Sequence, residues 1–311
     1  MKAAQISEYG GAEALQFTDQ AEKPEPAAGQ VLVEVHAAAI NPFDIKVRDG
    51  AVQSMADLKL PATLGGDFAG TIAALGEDVT GFEVGQEVYG QANALSGHGS
   101  YAEFTPVKSG SLAAKPESVD FLTAAAYPLV SVSAYQALVD HMAIQPGQKI
   151  LIHGGAGGIG TMAIQLAHHF GAHVITSSTA ADMDFVKGLG ADEVIDYQTQ
   201  DFAELLSDLD AVYDVVGGET NQKSYAILKP GGTLVSMVAP GDDELAEKYQ
   251  IKYVQQFTMV TTERLTEIAK LIDAGSLTIN IDKVFPLEQA GAALEYLKTS
   301  HPRGKVVIQV I

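Results

Sequence analysis

Gly155-Ala156-Gly157-Gly158-Ile159-Gly160 has the spacing G-x-G-x-x-G. It follows the apolar run Lys149-Ile150-Leu151-Ile152-His153 and opens a segment whose apolar residues recur at Met162, Ile164, Leu166 and Ala167. Glycines there permit a tight turn and close backbone approach, while the N–H groups and dipole of a helix start favour a pyrophosphate. The chemistry implied is dinucleotide binding through Gly155–Gly160, with a purely structural glycine turn as the alternative.

NAD-selective sites of this kind carry an acidic residue about 20 positions beyond the first glycine. Here the next strand ends Val174-Ile175-Thr176-Ser177-Ser178-Thr179. The small hydroxyl side chains of Ser177 and Ser178 leave room for a 2′-phosphate where a carboxylate would repel it, so NADP(H) is the expected cofactor. No lysine or arginine lies in 179–186, and the balancing charge is expected elsewhere, with Arg303 a candidate and Tyr197 a hydrogen-bond donor. In the alternative reading Ser177 and Ser178 only begin a turn.

The elements that position these residues fall into three stretches. Residues 1–118 read as short strands between glycine turns, notably 30–40, 67–76 and 87–91. Residues 119–274 alternate short apolar runs with helical patterns, the signature of parallel strands buried on both faces. A helix over 120–141 is expected first. Strands follow at 149–153, 173–177, 193–196, 211–216, 233–238 and 252–260, separated by helices, and a helix at 262–274 closes the stretch. A doubly wound sheet is the economical arrangement, binding its ligand at the strand C-termini. Residues 275–311 resemble the first stretch in texture and are expected to rejoin it.

Composition narrows the function further. The 311 residues include 19 basic and 39 acidic side chains, a net charge of −20, which makes nucleic acid and anionic membranes poor partners. No cysteine is present, which removes disulfides, thiolate metal sites and cysteine nucleophiles. No stretch reaches the roughly 18 apolar residues of a membrane helix, and the first residues lack a signal-peptide core, so a cytoplasmic location is expected.

Several motifs in order carry a family resemblance: Ala39-Ile40-Asn41-Pro42-Phe43-Asp44 with Arg48 and Gly50, Leu64-Gly65-Gly66-Asp67-Phe68-Ala69-Gly70, the glycine loop, Asp214-Val215-Val216-Gly217-Gly218, and Arg303-Gly304-Lys305-Val306-Val307. The chain resembles the medium-chain dehydrogenase/reductase family, in its zinc-free quinone oxidoreductase (zeta-crystallin-like) branch. The resemblance implies an α/β protein: a GroES-like β-rich catalytic domain from 1–118 and 275–311, a Rossmann domain from 119–274, and a substrate cleft at their junction. It also implies that Asn41 and Ser133 reach the nicotinamide half of the cofactor, that Val216 and Gly217 cradle the nicotinamide ribose, and that Met237, Val238 and Phe257 supply backbone contacts to the carboxamide. The edge strand near Lys252 is implied to pair with its copy in a homodimer.

Zinc members of this family hold their metal with a cysteine and a histidine where Asn41 and Gly66 stand here, so no metal is expected. Without a Lewis acid the substrate must already accept hydride readily, as quinones and α,β-unsaturated carbonyls do. Asn41, Lys46 and Arg48 are weak candidates for a donor toward the substrate carbonyl. Asp44 and Asp67 read as structural partners for arginine, and the product oxygen is expected to take its proton from water. The rival reading is an NADPH-binding structural or sensing protein with little catalysis.

Overall fold

The structure is a computed structural model and describes residues 1–55 and 58–311. Contacts gather the chain into two units. One comprises Met1–Leu129, Val260–Gly275 and Ile279–Ile311, the other Val130–Met259 and Ser276–Thr278.

The first unit begins with β1 (Ala3–Ile6), β2 (Leu15–Thr18), β3 (Gln30–Ala39), helix α1 (Pro42–Arg48), β4 (Ala62–Thr63), β5 (Asp67–Leu75), β6 (Glu87–Gln91), β7 (Phe104–Lys108), β8 (Leu112–Ala114) and α2 (Phe121–Ala126). β3 is the axis of its larger sheet, antiparallel to β5 and β7. Seven of its ten residues are buried, as the apolar run Val31–Val33, Val35 and the alanines at 37–39 require of a central strand.

Helix α3 (Pro128–Tyr135) leads into a π-helical turn, Gln136–His141. The continuous helix expected over 120–141 is therefore broken, because Pro128 has no N–H for a helix running through Tyr127. The second unit continues as β9 (Lys149–Ile152), α4 (Gly158–His169), β10 (His173–Ser178), α5 (Met183–Gly188), β11 (Glu193–Asp196), α6 (Phe202–Leu205), β12 (Leu209–Asp214), α7 (Glu219–Ser224), β13 (Leu228–Ser236), α8 (Asp243–Tyr249) and β14 (Lys252–Gln255). Its six strands run in the order β11-β10-β9-β12-β13-β14, all parallel. This is a doubly wound sheet whose order reverses between β9 and β12, where such sheets open a crevice for ligand. β14 stops at Gln255 rather than continuing to Val260. Beyond it the Phe257 carbonyl and the Met259 N–H bond the Gln136 side chain, not a strand.

The chain returns to the first unit through α9 (Thr262–Asp273), β15 (Ile281–Pro286), α10 (Ala290–Ser300) and β16 (Lys305–Gln309). β16 lies antiparallel to the end of β3, Val307 opposite Ala39. That register sets Lys305 beside Ile40 and Asn41. The sequence division at 118/119 and 274/275 assigns α2 and α9 to the parallel sheet, whereas α2 packs on β3, β5 and β16, and α9 on β8. Each unit keeps its own apolar core.

Candidate functional site

At the end of β9 the chain turns through Gly154, held in the left-handed region at φ +71°. The turn is fixed by backbone bonds from Gly155 N to Ser177 O (2.9 Å) and from Gly157 N to Gly154 O (3.1 Å). Three glycines of the loop lack a side chain for different reasons. A Cβ on Gly155 would collide with the Thr176 side chain, and one on Gly160 with the Gly154 carbonyl. Gly157 has an ordinary extended backbone (φ −76°, ψ 169°), and a Cβ there would find its nearest neighbour at 3.5 Å. Packing therefore demands Gly155 and Gly160 but leaves Gly157 with open space in front of the start of α4. The loop fits a dinucleotide pyrophosphate on this observation: a Gly157 side chain would meet nothing but the Gly154 carbonyl, and Gly157 is the N-cap of α4, a helix start whose first N–H groups have no partner within the helix.

Beside the loop lies a cavity of about 660 Å³ lined by His153, Gly154, Ser177, Tyr197, Val216 and Lys223 among others. Ser177 and Tyr197 thus meet in one cavity. Ser177 Oγ accepts from Gly154 N at 3.2 Å and lies 3.3 Å from His153 Nδ1, while His153 Nε2 lies 3.0 Å from Ser224 Oγ. Burial lowers the His153 pKa to about 4, so the imidazole is neutral and links β9, β10 and α7 without a charge. Tyr197 is 57% exposed. Ser178 is different: its hydroxyl donates to the Thr179 carbonyl at 3.1 Å, and it does not line the cavity. Arg303 lies in the first unit, between α10 and β16, where its carbonyl accepts from Asn280 Nδ2 at 2.7 Å.

The next turn, after β12, is organised by one buried carboxylate. Asp214 Oδ1 accepts from Val216 N (2.9 Å) and Gly217 N (2.8 Å), and its Oδ2 accepts from Asn221 Nδ2 (2.7 Å) and Ser236 Oγ (2.8 Å). Gly217 takes φ +81°, and a Cβ there would press on Val238. Met237 N bonds the Asp214 carbonyl at 2.9 Å. The Ser133 and Thr258 hydroxyls are 2.6 Å apart, and the Ser133 carbonyl accepts from Gln256 Nε2 and Tyr213 Oη. Phe257 is 70% exposed. Ser133, Val216, Gly217, Met237, Val238 and Phe257 are accordingly carried by α3 and by the segments following β12, β13 and β14.

In the first unit Asn41 precedes Pro42 at the start of α1, and its N–H donates to Asp44 Oδ2 at 2.8 Å. Both ends of its side chain are engaged: Nδ2 donates to Asp67 Oδ2 (2.9 Å), and Oδ1 accepts from Lys305 Nζ (2.6 Å). Lys305 also donates to the Ile40 carbonyl at 2.7 Å and lies 3.8 Å from Asp67 Oδ2. Burial pushes the Lys305 pKa down and the Asp67 pKa up, each opposed by the other's charge. Tyr101 Oη donates to Asp44 Oδ2 at 2.7 Å, yet burial still raises the Asp44 pKa to about 6. The arginine expected beside these carboxylates is not their partner. Asp67 is served by lysine and amides, and Asp44 by a phenol and a backbone N–H.

Arg48 is fully buried, with Nε 2.8 Å from Asp49 and Nη1 2.7 Å from Glu295, which ties α1 to α10. Lys46 sits on the exposed face of α1. Among the described residues no three His, Cys, Asp or Glu side chains cluster as a metal site, and no helix is long and apolar enough to cross a membrane. Sequence reasoning did not find Lys305, Tyr101 or Lys223. Lys305 was legible only as part of Arg303-Gly304-Lys305, since its partner Asn41 is 264 positions away.

Comparison with known proteins agrees with this geometry. Residues 27–117 match the alcohol dehydrogenase GroES-like domain, and residues 189–308 match the domain described as zinc-binding dehydrogenase. The chain is 36% identical to a 2-methylene-furan-3-one reductase of Solanum lycopersicum, over all of this chain and 79% of the relative. It is 35% identical to a chloroplastic NADPH-dependent alkenal/one oxidoreductase of Arabidopsis thaliana, over 100% and 80%. The solved structure of the quinone oxidoreductase from Coxiella burnetii superposes with a TM-score of 0.93 at 35% identity, over 100% of this chain and 99% of that one. The chain belongs to the medium-chain dehydrogenase/reductase family.

Proposed function

We propose that this chain is an NADPH-dependent, zinc-independent reductase that passes a hydride to quinones or α,β-unsaturated carbonyls. The observation that carries the reading is Gly157, which has no reason in packing or backbone conformation to be glycine and lies where a pyrophosphate would approach α4. Relatives named for alkenal/one reduction with NADPH and for quinone oxidoreduction support the substrate class and cofactor. Bound there, the reduced nicotinamide supplies the hydride.

The chain's own residues bind, orient and fix charge. Asp214 holds the backbone of Val216 and Gly217 in the conformation that receives a ribose, and Ser133, with Met237, Val238 and Phe257, forms the proposed nicotinamide contacts. In the motifs where zinc relatives place their ligands, a buried ammonium already holds Asn41 Oδ1, and a second cation there would be repelled. Asn41 then acts by position, because both ends of its amide are engaged. Arg48 is buried and held in its ion pairs, and water is the proton source proposed for the product oxygen. A cytoplasmic location belongs to the same proposal, and a chain without cysteine has no disulfide that would need an oxidising compartment. β14 ends the six-stranded sheet, and pairing of this edge with a second copy would cover its open backbone groups in a homodimer. Sedimentation as a monomer at micromolar concentration would refute that assembly.

Stopped-flow mixing of NADPH-loaded protein with a quinone, and separately with an enone, tests the activity. Cofactor oxidation far faster than in free solution is expected. A rate equal to that in solution would instead favour a binding protein.

A further inference from the structure

NADP(H) as the cofactor brings a 2′-phosphate for which the segment 179–186 supplies no cation. The cavity that holds Ser177 and Tyr197 supplies one. Apart from neutral His153, Lys223 is the only basic side chain among its described lining residues. We propose that Lys223 is a specificity-determining residue that reads the 2′-phosphate of the dinucleotide, and that Asp201 and Glu219 hold its ammonium at the cavity wall until the phosphate arrives. This role of Lys223 rests on the NADP(H) reading.

The geometry suits such an exchange. An ammonium has three N–H donors. Two of them reach Asp201 Oδ2 at 2.7 Å and Glu219 Oε1 at 2.9 Å, which leaves a third for a phosphate oxygen. The two carboxylates are not equivalent. Asp201 is fixed, because its Oδ1 also caps α6 by accepting from Ala203 N at 3.0 Å. Glu219 is 78% exposed and pairs with Lys223 across one turn of α7, an arrangement of small worth in water. A phosphate monoester carries more charge than a carboxylate and offers three acceptor oxygens, so it displaces Glu219 while Asp201 stays. Lys223 lines the cavity, and its ion pair with the capping Asp201 fixes where its ammonium rests. Both carboxylates line the same cavity and oppose an incoming dianion. Removal of one is therefore expected to strengthen phosphate binding, and removal of the lysine to weaken it.

The test is calorimetric binding of 2′,5′-ADP, 5′-AMP, NADPH and NADH to the full-length protein and to the variants Lys223→Met, Lys223→Arg and Glu219→Gln. The wild type is expected to favour 2′,5′-ADP over 5′-AMP. Lys223→Met should cut that preference roughly tenfold, the worth of one charge-assisted contact, with 5′-AMP binding unchanged. Lys223→Arg should keep most of the preference, and Glu219→Gln should raise it. A preference that survives in Lys223→Met overturns the role of Lys223 and leaves the NADP(H) reading standing. Equal weakening of all four ligands in Lys223→Met overturns it too, as the mark of a structural residue. A wild type that binds 2′,5′-ADP and 5′-AMP equally overturns the NADP(H) reading and this role together.

Discussion

Around Gly154–Gly160 the backbone is pinned by Ser177, whose carbonyl and hydroxyl accept from Gly155 N and Gly154 N, while the space at Gly157 stays open. Around Asn41 the reverse holds. Amide, ammonium, carboxylates and phenol there are buried and bonded to one another. An open set of donors is built for a ligand, whereas a closed set is built to hold its own backbone in place. The contrast teaches which polar residues are available for binding: those at the sheet ends of the second unit, more than those of the Asn41 motif.

The largest way to break the contrast is a side chain in the open space. Gly157→Val is expected to weaken NADPH binding by on the order of 100-fold, about 2.7 kcal/mol, with little change in melting temperature, because its backbone angles suit any residue. Gly160→Val, which strikes the Gly154 carbonyl, should fail to fold. Fluorescence titration and thermal melting distinguish the two.

The closed set should answer in stability instead. Lys305→Met strands Asp67 and is expected to cost about 3–5 kcal/mol in chemical denaturation, the usual effect of removing one partner of a buried pair. Replacing Asp67 with asparagine in the same chain should recover part of the loss.

A pH titration sharpens the same point with a smaller effect. The Asp44 pKa is raised in the folded chain to about 6, so the native state binds more protons than the unfolded chain between roughly pH 4 and 6. Its contribution is fully present below pH 4 and is lost as pH rises through 6, a fall of about 2–3 kcal/mol. Asp44→Asn should flatten that part of the profile, and a slope unchanged in the variant would contradict the assignment.

The smallest effect is expected at Lys46. It lies on the exposed face of α1, and Lys46→Ala should alter kcat/KM by less than about twofold.

These differences show which parts were legible in the sequence. The glycine loop was, because strand, turn and helix are adjacent in the chain and the glycine spacing is read within six residues. The parallel strands were legible from their apolar runs, although Pro128 split the first helix and β14 stopped short of Phe257. The Asn41 cluster was legible only as motifs. Its members come from α1, β5, β16 and the segment between β6 and β7, and no local rule states that Lys305 Nζ meets Asn41 Oδ1. Arg48 illustrates the same limit, since its partner Glu295 is 247 positions away. Lys223 was hidden because its relation to Ser177 depends on how the segments after β11 and β12 fold around one cavity.

Hydride transfer itself is tested most directly with NADPH deuterated at the transferable C4 position, incubated with this protein and an α,β-unsaturated ketone, with the product analysed by mass spectrometry. The account predicts one deuterium on the β-carbon of the saturated ketone for each cofactor oxidised. Cofactor oxidation with no deuterium in the product, or no saturated ketone at all, would contradict it.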